Sequence, residues 1–238
     1  MSVLFGVPAV ASASPFSEPA GMFRYQLTVM GAVGGEAVLT IGAPSTIGDQ
    51  SVRHIRLEAR TTGVAGRIYD AQGDGTTVID SALNPLRMKW SSRTRGAARE
   101  GNVLFHARGI KGTYRYKSKP VRKLRLKSRS WPLDAISAYL WLPQQSLEEG
   151  AEYRRSFFDG RRLGTLKATV GSPSSIQVPV GLREVVPMQI VADRAGKKRE
   201  VVFWIGRHDR VLYRIEVAHG ILGKVRAELT GIQRPDAP

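Results

Sequence analysis

Phe23-Arg24-Tyr25-Gln26-Leu27-Thr28-Val29 alternates apolar and polar residues, and Glu36-Ala37-Val38-Leu39-Thr40-Ile41 resumes the alternation after Gly34-Gly35. A strand sends successive side chains to opposite faces, and glycine supplies the left-handed backbone of a tight turn. The two runs therefore predict an antiparallel hairpin turning at Gly34-Gly35.

The same period of two continues down the chain. His54 to Arg60 alternates, and Arg67 to Asp70 leads through Gly73-Asp74-Gly75, read as a second turn, into Thr76 to Asp80. Further strands are expected at Leu86–Trp90, Val103–Ala107 and Thr113–Lys117. After Glu149-Gly150 they resume at Ala151–Phe158, Gly164–Val170, Ile176–Val180, Glu184–Val191, Glu200–Ile205, Val211–Val217 and Gly223–Leu229, with Asp159-Gly160 as a hairpin turn. One segment breaks this rhythm. Pro132 to Leu142 places apolar groups at 133, 136, 140 and 141, near helical spacing, with Pro132 and Asp134 in the first turn and Pro143 as a stop. The fold class expected is mainly β: about 14 strands in a single large antiparallel curved sheet, or an open barrel-like sheet, with one short helix. The lack of strand–helix–strand alternation excludes a parallel sheet with a nucleotide at its switch point.

The chain has 238 residues, of which 42% are hydrophobic and 24% charged, enough for a substantial core. It contains no cysteine, which removes disulfides, thiolate metal sites, cysteine nucleophiles and a lipidated cysteine. Val3 to Val10 is apolar and runs into Ala11-Ser12-Ala13, the small-x-small pattern that signal peptidase reads. Its basic leading segment is missing. Two readings follow: a secretory signal whose start lies upstream, or a disordered or edge-strand N-terminus. On the first, residues 1–13 are the end of a signal, 14–22 a disordered mature N-terminus, 23–231 one β domain and 232–238 a tail. No other stretch reaches the roughly 18 apolar residues of a membrane span.

Lys and Arg total 36 against 20 Asp and Glu, a net charge of +16. The excess is local. Between Arg87 and Arg129 fifteen cations face one acid, Glu100, so that segment carries +14 and the remainder +2. Arg115, Lys117 and Lys119 alternate with Tyr114, Tyr116 and Ser118, while Lys123, Arg125, Lys127 and Arg129 alternate with Leu124, Leu126 and Ser128. As strands, each stretch projects a row of cations from one face. These seven cations are the candidate anion-binding residues, with Tyr114, Tyr116 and Trp90 as stacking or headgroup-level contacts. The alternative is a solvated face that keeps strands from pairing edge to edge, a common use of lysine. No nucleic-acid-binding module is recognisable.

No catalytic motif emerges. His54, His106, His208 and His219 are isolated, without metal-ligand spacing, and neither a nucleophile elbow nor a phosphate-cradling loop occurs. No metal, cofactor or catalytic residue is assigned. Tyr139 and Trp141 on the helix, with Phe158 and Trp204 on strands, either line an apolar cavity under the curved sheet or form an ordinary helix-on-sheet core.

Several ordered segments carry a resemblance: Phe23 to Val29 through Gly35-Glu36-Ala37, Asn84-Pro85-Leu86, Asp134-Ala135-Ile136-Ser137-Ala138 followed by Leu147-Glu148-Glu149-Gly150, and Phe203-Trp204-Ile205 with Asp209 and Arg214-Ile215-Glu216. In this order the sequence resembles the exported bacterial β-proteins grouped as domain of unknown function 3108, over about residues 23–230. The basic run from Arg87 to Arg129 departs from that pattern. The resemblance implies export and an all-β fold. It brings no reaction and no functional residues. The expected function is a non-enzymatic periplasmic or envelope binding protein whose basic face engages an anionic lipid headgroup or phosphorylated glycan. The alternative is an assembly factor that binds another envelope protein through a strand edge.

Overall fold

The computed structural model describes residues 20–29, 31–219 and 223–234; the expected signal at 1–13 lies outside them. The first half contains β1 (Gly21–Val29), β2 (Ala32–Ile41), β3 (Ser45–Ile47), β4 (Gln50–Thr61), α1 (Gly63–Ile68), β5 (Ala71–Asp80), β6 (Pro85–Thr94), β7 (Ala97–His106), β8 (Gly109–Tyr116) and β9 (Arg122–Lys127). The second contains α2 (Ala135–Trp141), β10 (Glu152–Phe158), β11 (Leu163–Val170), β12 (Ser174–Val178), β13 (Gly181–Arg194), β14 (Lys197–Gly206), β15 (Leu212–His219) and β16 (Gly223–Gln233).

All sixteen strands form one antiparallel sheet, ordered β10-β11-β13-β14-β15-β16-β1-β2-β4-β5-β6-β7-β8-β9, with β12 beside β13 and β3 beside β4. The sheet curves without closing into a barrel. The first and last strands pair at its centre, Phe23 opposite Ile232 and Leu27 opposite Ala227, so both ends of the domain depend on each other. β1 begins at Gly21 and β16 ends at Gln233, each two residues beyond the expected domain limits.

Two glycine signals are not turns. Gly34 and Gly35 lie inside β2, where the register shifts between Leu27 and Thr28, and the hairpin turns earlier, between Val29 and Ala32. A Cβ at Gly35 would stand 2.4 Å from the Arg60 carbonyl oxygen, so glycine serves close strand approach here. Likewise Gly73-Asp74-Gly75 is interior to β5, paired across to Ala59-Glu58-Leu57. A Cβ at Gly75 would lie 3.2 Å from Cδ1 of Ile136, so this glycine makes room for α2. The expected strand at Arg67–Asp70 is instead the end of α1 and the turn after it.

The expected helix is present as α2, continued by a single 3₁₀ turn over Leu142–Gln144 that takes in Pro143. Residues Ile136 to Leu140 are all buried, so α2 fills the concavity of the sheet instead of covering its outside. Its start is built from two side chains. Asp134 Oδ1 accepts from the Ile136 and Ser137 amides at 2.7 and 2.9 Å, and Ser137 Oγ accepts from the Asp134 amide at 2.9 Å, a reciprocal capping box.

The sheet edges β9 and β10 are bridged by the connecting chain. Leu133 makes a parallel bridge with Phe157: its amide donates to Ser156 O at 2.9 Å, and its carbonyl accepts from Phe158 N at 2.7 Å. Trp131 Nε1 donates to Pro85 O at 2.8 Å, and Arg155 donates to Asn84 Oδ1 and to Trp131 O at 3.1 and 3.2 Å. Beneath this seam the β10–β11 end tucks into the concave side of β6–β8. Phe158 packs edge-on against Trp90 and Phe105, with centroids 5.7 and 5.8 Å away. It completes a smaller core with Met88, Val103 and Ile110, separate from the larger core around α2.

Candidate functional site

Strand register decides which cations share a face. Across β6, β7, β8 and β9 one outward row runs Arg87, Leu104, Lys111, Arg125, and the next runs Lys89, Asn102, Thr113, Lys123. All eight side chains are exposed, as is Lys127. Lys111 and Arg125 stand directly opposite each other, a like-charge pairing that destabilises a sheet. The one acid of the segment is already taken: Glu100 pairs with Arg115 at 2.5 Å. Among the described residues, the side chains of Lys89, Lys111, Lys123, Arg125 and Lys127 make no ion pair or hydrogen bond. Leu104 is 56% exposed in their midst.

The seven predicted cations do not form the two rows expected. Lys123, Arg125 and Lys127 do share the outward face of β9, and Arg115 lies outward on β8. Lys117 and Lys119 fall in the β8–β9 turn, because β8 ends at Tyr116 and Lys117 takes a left-handed backbone with φ 55°. Arg129 lies beyond β9 in the seam segment. Lys111 joins the face from the neighbouring β8, and Arg87 and Lys89 join it from β6, two strands further back in the chain, which only the register reveals. The proposed stacking residues are placed differently too. Tyr114 and Trp90 face inward, flanking Gly101, whose missing side chain leaves space for the indole. Tyr116 stays at the surface, with Arg99 and Lys117 each 5.5 Å from its ring centroid.

The four aromatic residues considered for a cavity are dispersed. Tyr139 is buried in the larger core, hydrogen-bonded to the Tyr25 hydroxyl and edge-on to Phe203. Trp141 packs at the margin of that core between Tyr153 and the Arg155 guanidinium. Phe158 belongs to the smaller core. Trp204 projects from the face of β14 opposite Phe203, with Arg214 5.9 Å over its ring. Tyr139 and Phe158 are buried in separate cores, so the four side chains do not come together.

Among the described residues, no group of three His, Asp or Glu is placed to hold a metal. His208 meets Glu184 at an exposed turn, while Asp209 accepts from the Tyr213 hydroxyl and, at 3.1 Å, from the Val211 amide. Burial together with Asp209 pushes the Tyr213 phenol up to about 12, so it stays a neutral donor. A trough of about 620 Å³ lies over β2, β4, β5, β6 and β7. Glu36, Glu58, Asp74 and Glu100 line it beside Arg60, Arg93 and Arg99, with Arg60 paired to Glu36 at 2.5 Å. It therefore presents no net cationic field.

The family described as protein of unknown function DUF3108 matches residues 24–230, nearly all of the sheet just described. The chain belongs to this family. No curated protein matches it. Among solved structures, it is similar to a β-barrel-like protein of domain of unknown function DUF1849 from Brucella abortus, with TM-score 0.62 and 14% identity over 92% of this chain and 99% of that one. Weaker similarity, at 9% identity, reaches a candidate exported protein with a YmcC-like fold from Bacteroides fragilis (TM-score 0.39, 91% of this chain and 97% of that one). A candidate lipoprotein from Parabacteroides distasonis is comparable (TM-score 0.38, 91% and 96%). The first of these supports the barrel-like architecture.

The segments that carry the DUF3108 resemblance have structural work in this chain. Asp134 and Ser137 cap α2, with Thr77 Oγ1 donating to the second carboxylate oxygen at 3.2 Å. Asn84 and Pro85 accept the seam bonds, and Asp209 shapes the β14–β15 turn. The cations of β6–β9 are separate from all three.

Proposed function

We propose that this protein is a non-enzymatic envelope binding protein whose basic outer face engages a phosphate-bearing component, a lipid headgroup or a phosphorylated glycan. The observation that carries this reading is the set of exposed cations without a side-chain partner, Lys89 on β6, Lys111 on β8 and Lys123, Arg125 and Lys127 on β9, on one face of the sheet. Placing Lys111 opposite Arg125 works against stability, and an anion would relieve it. The apolar run ending in Ala11-Ser12-Ala13 supports export to the envelope.

The test is a variant carrying Lys111→Ser, Lys123→Ser, Arg125→Ser and Lys127→Ser, assayed for co-sedimentation with phosphatidylglycerol vesicles and for binding of inorganic polyphosphate. A cation near an anionic surface contributes about 1 kcal/mol. Retention by either probe is therefore expected to fall at least about tenfold, with a melting temperature unchanged or raised. Wild-type retention by the variant on both probes would remove the basic-face reading.

A second reading, strand addition by another envelope protein, draws on β9 and β10 both being sheet edges. Capture of one protein partner that persists at high salt would favour it. The lysine-rich edge of β9 weighs against it, since such charge deters edge pairing.

A further inference from the structure

Resting on that reading, we infer that one end of the barrel-like sheet, the end bearing the β6–β7, β8–β9, β10–β11 and β13–β14 turns, is the part that docks on an anionic lipid bilayer. The registers put these four turns at the same end. Thr94 pairs with Ala97, Tyr114 with Arg122, Phe158 with Leu163, and Arg194 with Lys197, each pair closing its hairpin there. Cations that the sequence scatters gather here: Arg95 in the β6–β7 turn, Lys117 and Lys119 in the β8–β9 turn, and Lys197 and Lys198 at the start of β14. The β10–β11 turn adds Arg161 and Arg162.

Contacts join them into one rim. Arg95 lies 4.8 Å from the Tyr69 ring centroid, Arg99 and Lys117 flank Tyr116, and Arg161 reaches from β10–β11 to within 5.9 Å of the Tyr114 centroid. Arg194 ties the β13–β14 turn to Asp159 of the β10–β11 turn. Three acids at this end are already engaged, while Glu200 on β14 is exposed. Asp159 holds Arg194 and two turn amides, Asp193 accepts from Gly196 N at 2.9 Å, and Asp70 lies 3.8 Å from Arg93. Arg95 and Lys117 also occupy left-handed backbone, φ 47° and 55°, where Asn or Gly is favoured. Cations therefore stand at this rim at a conformational cost.

The choice of a bilayer over a soluble polyanion comes from what accompanies the charge. Val121, in the β8–β9 turn between Lys119 and Arg122, is 56% exposed, and half-buried Tyr69 and Tyr116 sit among the arginines. An apolar side chain inside a ring of cations and tyrosines suits the headgroup boundary, where apolar burial and attraction to anionic lipid act together.

The absence of cysteine makes single-site labelling direct. Three chains would each carry one environment-sensitive fluorophore, at Val121→Cys on the rim, at Leu104→Cys on the outer face, and at Leu182→Cys on the opposite end, where Leu182 is 65% exposed. Each is mixed with phosphatidylcholine vesicles with and without phosphatidylglycerol, and with inorganic polyphosphate. The expected result is emission enhanced severalfold at 121 with phosphatidylglycerol vesicles alone, and unmoved at 182. Combined Arg161→Ser, Lys197→Ser and Lys198→Ser, remote in sequence from the basic run, should then lower vesicle retention about tenfold.

A response at 104 with none at 121 would overturn end-on docking and leave the basic-face function standing. Silence at both sites with polyphosphate still bound would make the ligand a soluble polyanion and overturn the bilayer inference alone. Loss of binding to both probes by the wild-type chain would end both readings.

Discussion

Phe158→Ala is expected to destabilise the fold by about 4 kcal/mol, the usual loss for truncating a fully packed phenylalanine. The side chain is 1% exposed and holds together the smaller core, contacting Trp90 and Phe105 edge-on beside Met88, Val103 and Ile110. It is also the one residue of that buried set contributed by the β10 side of the open seam. Removing it takes away the fully buried part of the apolar contact between β10–β11 and β6–β8, leaving half-buried Leu163, the Leu133–Phe157 bridge and the Arg155 and Trp131 hydrogen bonds to hold the edges. Urea denaturation measures the loss, and hydrogen exchange at the Phe158 and Leu133 amides should accelerate well beyond that at the β1–β16 pairing. A change below about 1 kcal/mol, or uniform acceleration, would mean that the seam does not depend on this ring. Phe158→Leu should recover most of the loss, because volume is largely kept.

The second large effect is pH-dependent stability from Asp134. Complete burial raises its carboxyl from 3.8 to about 6, opposed by hydrogen bonds from Ser137, Ile136 and Thr77. An acid whose folded value lies above its unfolded value binds its proton more tightly in the native state. Its contribution is thus fully present below about pH 4 and is lost as pH rises through about 6. With 1.36 kcal/mol per unit, the swing is about 3 kcal/mol. Asp134→Asn keeps an oxygen for the Ile136 and Ser137 amides and carries no charge. The variant should therefore match the wild type near pH 4 and exceed it by about 2 to 3 kcal/mol near pH 8, as read from denaturation midpoints across that range. A constant difference at all pH values would show that the titration does not arise at this carboxyl. Asp134→Ala should instead be destabilising at pH 4 by about 1 to 2 kcal/mol, since the cap is lost and the Thr77 hydroxyl loses its partner.

Much of the fold was legible because period-two alternation is a local consequence of facing a core on one side and water on the other. Tyr25, Leu39, Ile55 and Phe203 are all inward as the pattern requires. The helix was legible for a similar reason: Pro132, Asp134 and the spacing of Ile136 and Leu140 are read within a few residues. Glycine was misread where its use is not local. Gly34-Gly35 and Gly73-Asp74-Gly75 have the composition of turns, yet Gly35 and Gly75 are required by a neighbouring strand and by α2. Residues distant in sequence set that requirement, so no window around the glycines contains it. Lys117 was misjudged in the opposite sense, as alternation ran on past the end of β8 into a turn.

The candidate surface divides in the same way. Its charge was countable from composition, since fifteen cations against one acid needs no coordinates. Which of them lie together was not. Arg87, Lys111 and Arg125 come into one row through three successive ladders, and a shift of one residue in any of them would send a member to the interior. The rim cation Arg161 reaches the Tyr114 ring of β8 only because β10–β11 folds back into the concave side of β6–β8.

By itself the sequence determined the predominance of strands, the helix α2 and the sign and location of the charge, because each depends on the solvation preference of residues near one another in the chain. Tertiary structure alone decided the register, the open seam, the division into two cores and the cationic end. Those depend on pairing free energies between segments far apart in sequence, where one set of alternating strands is compatible with many partners until side-chain packing selects among them.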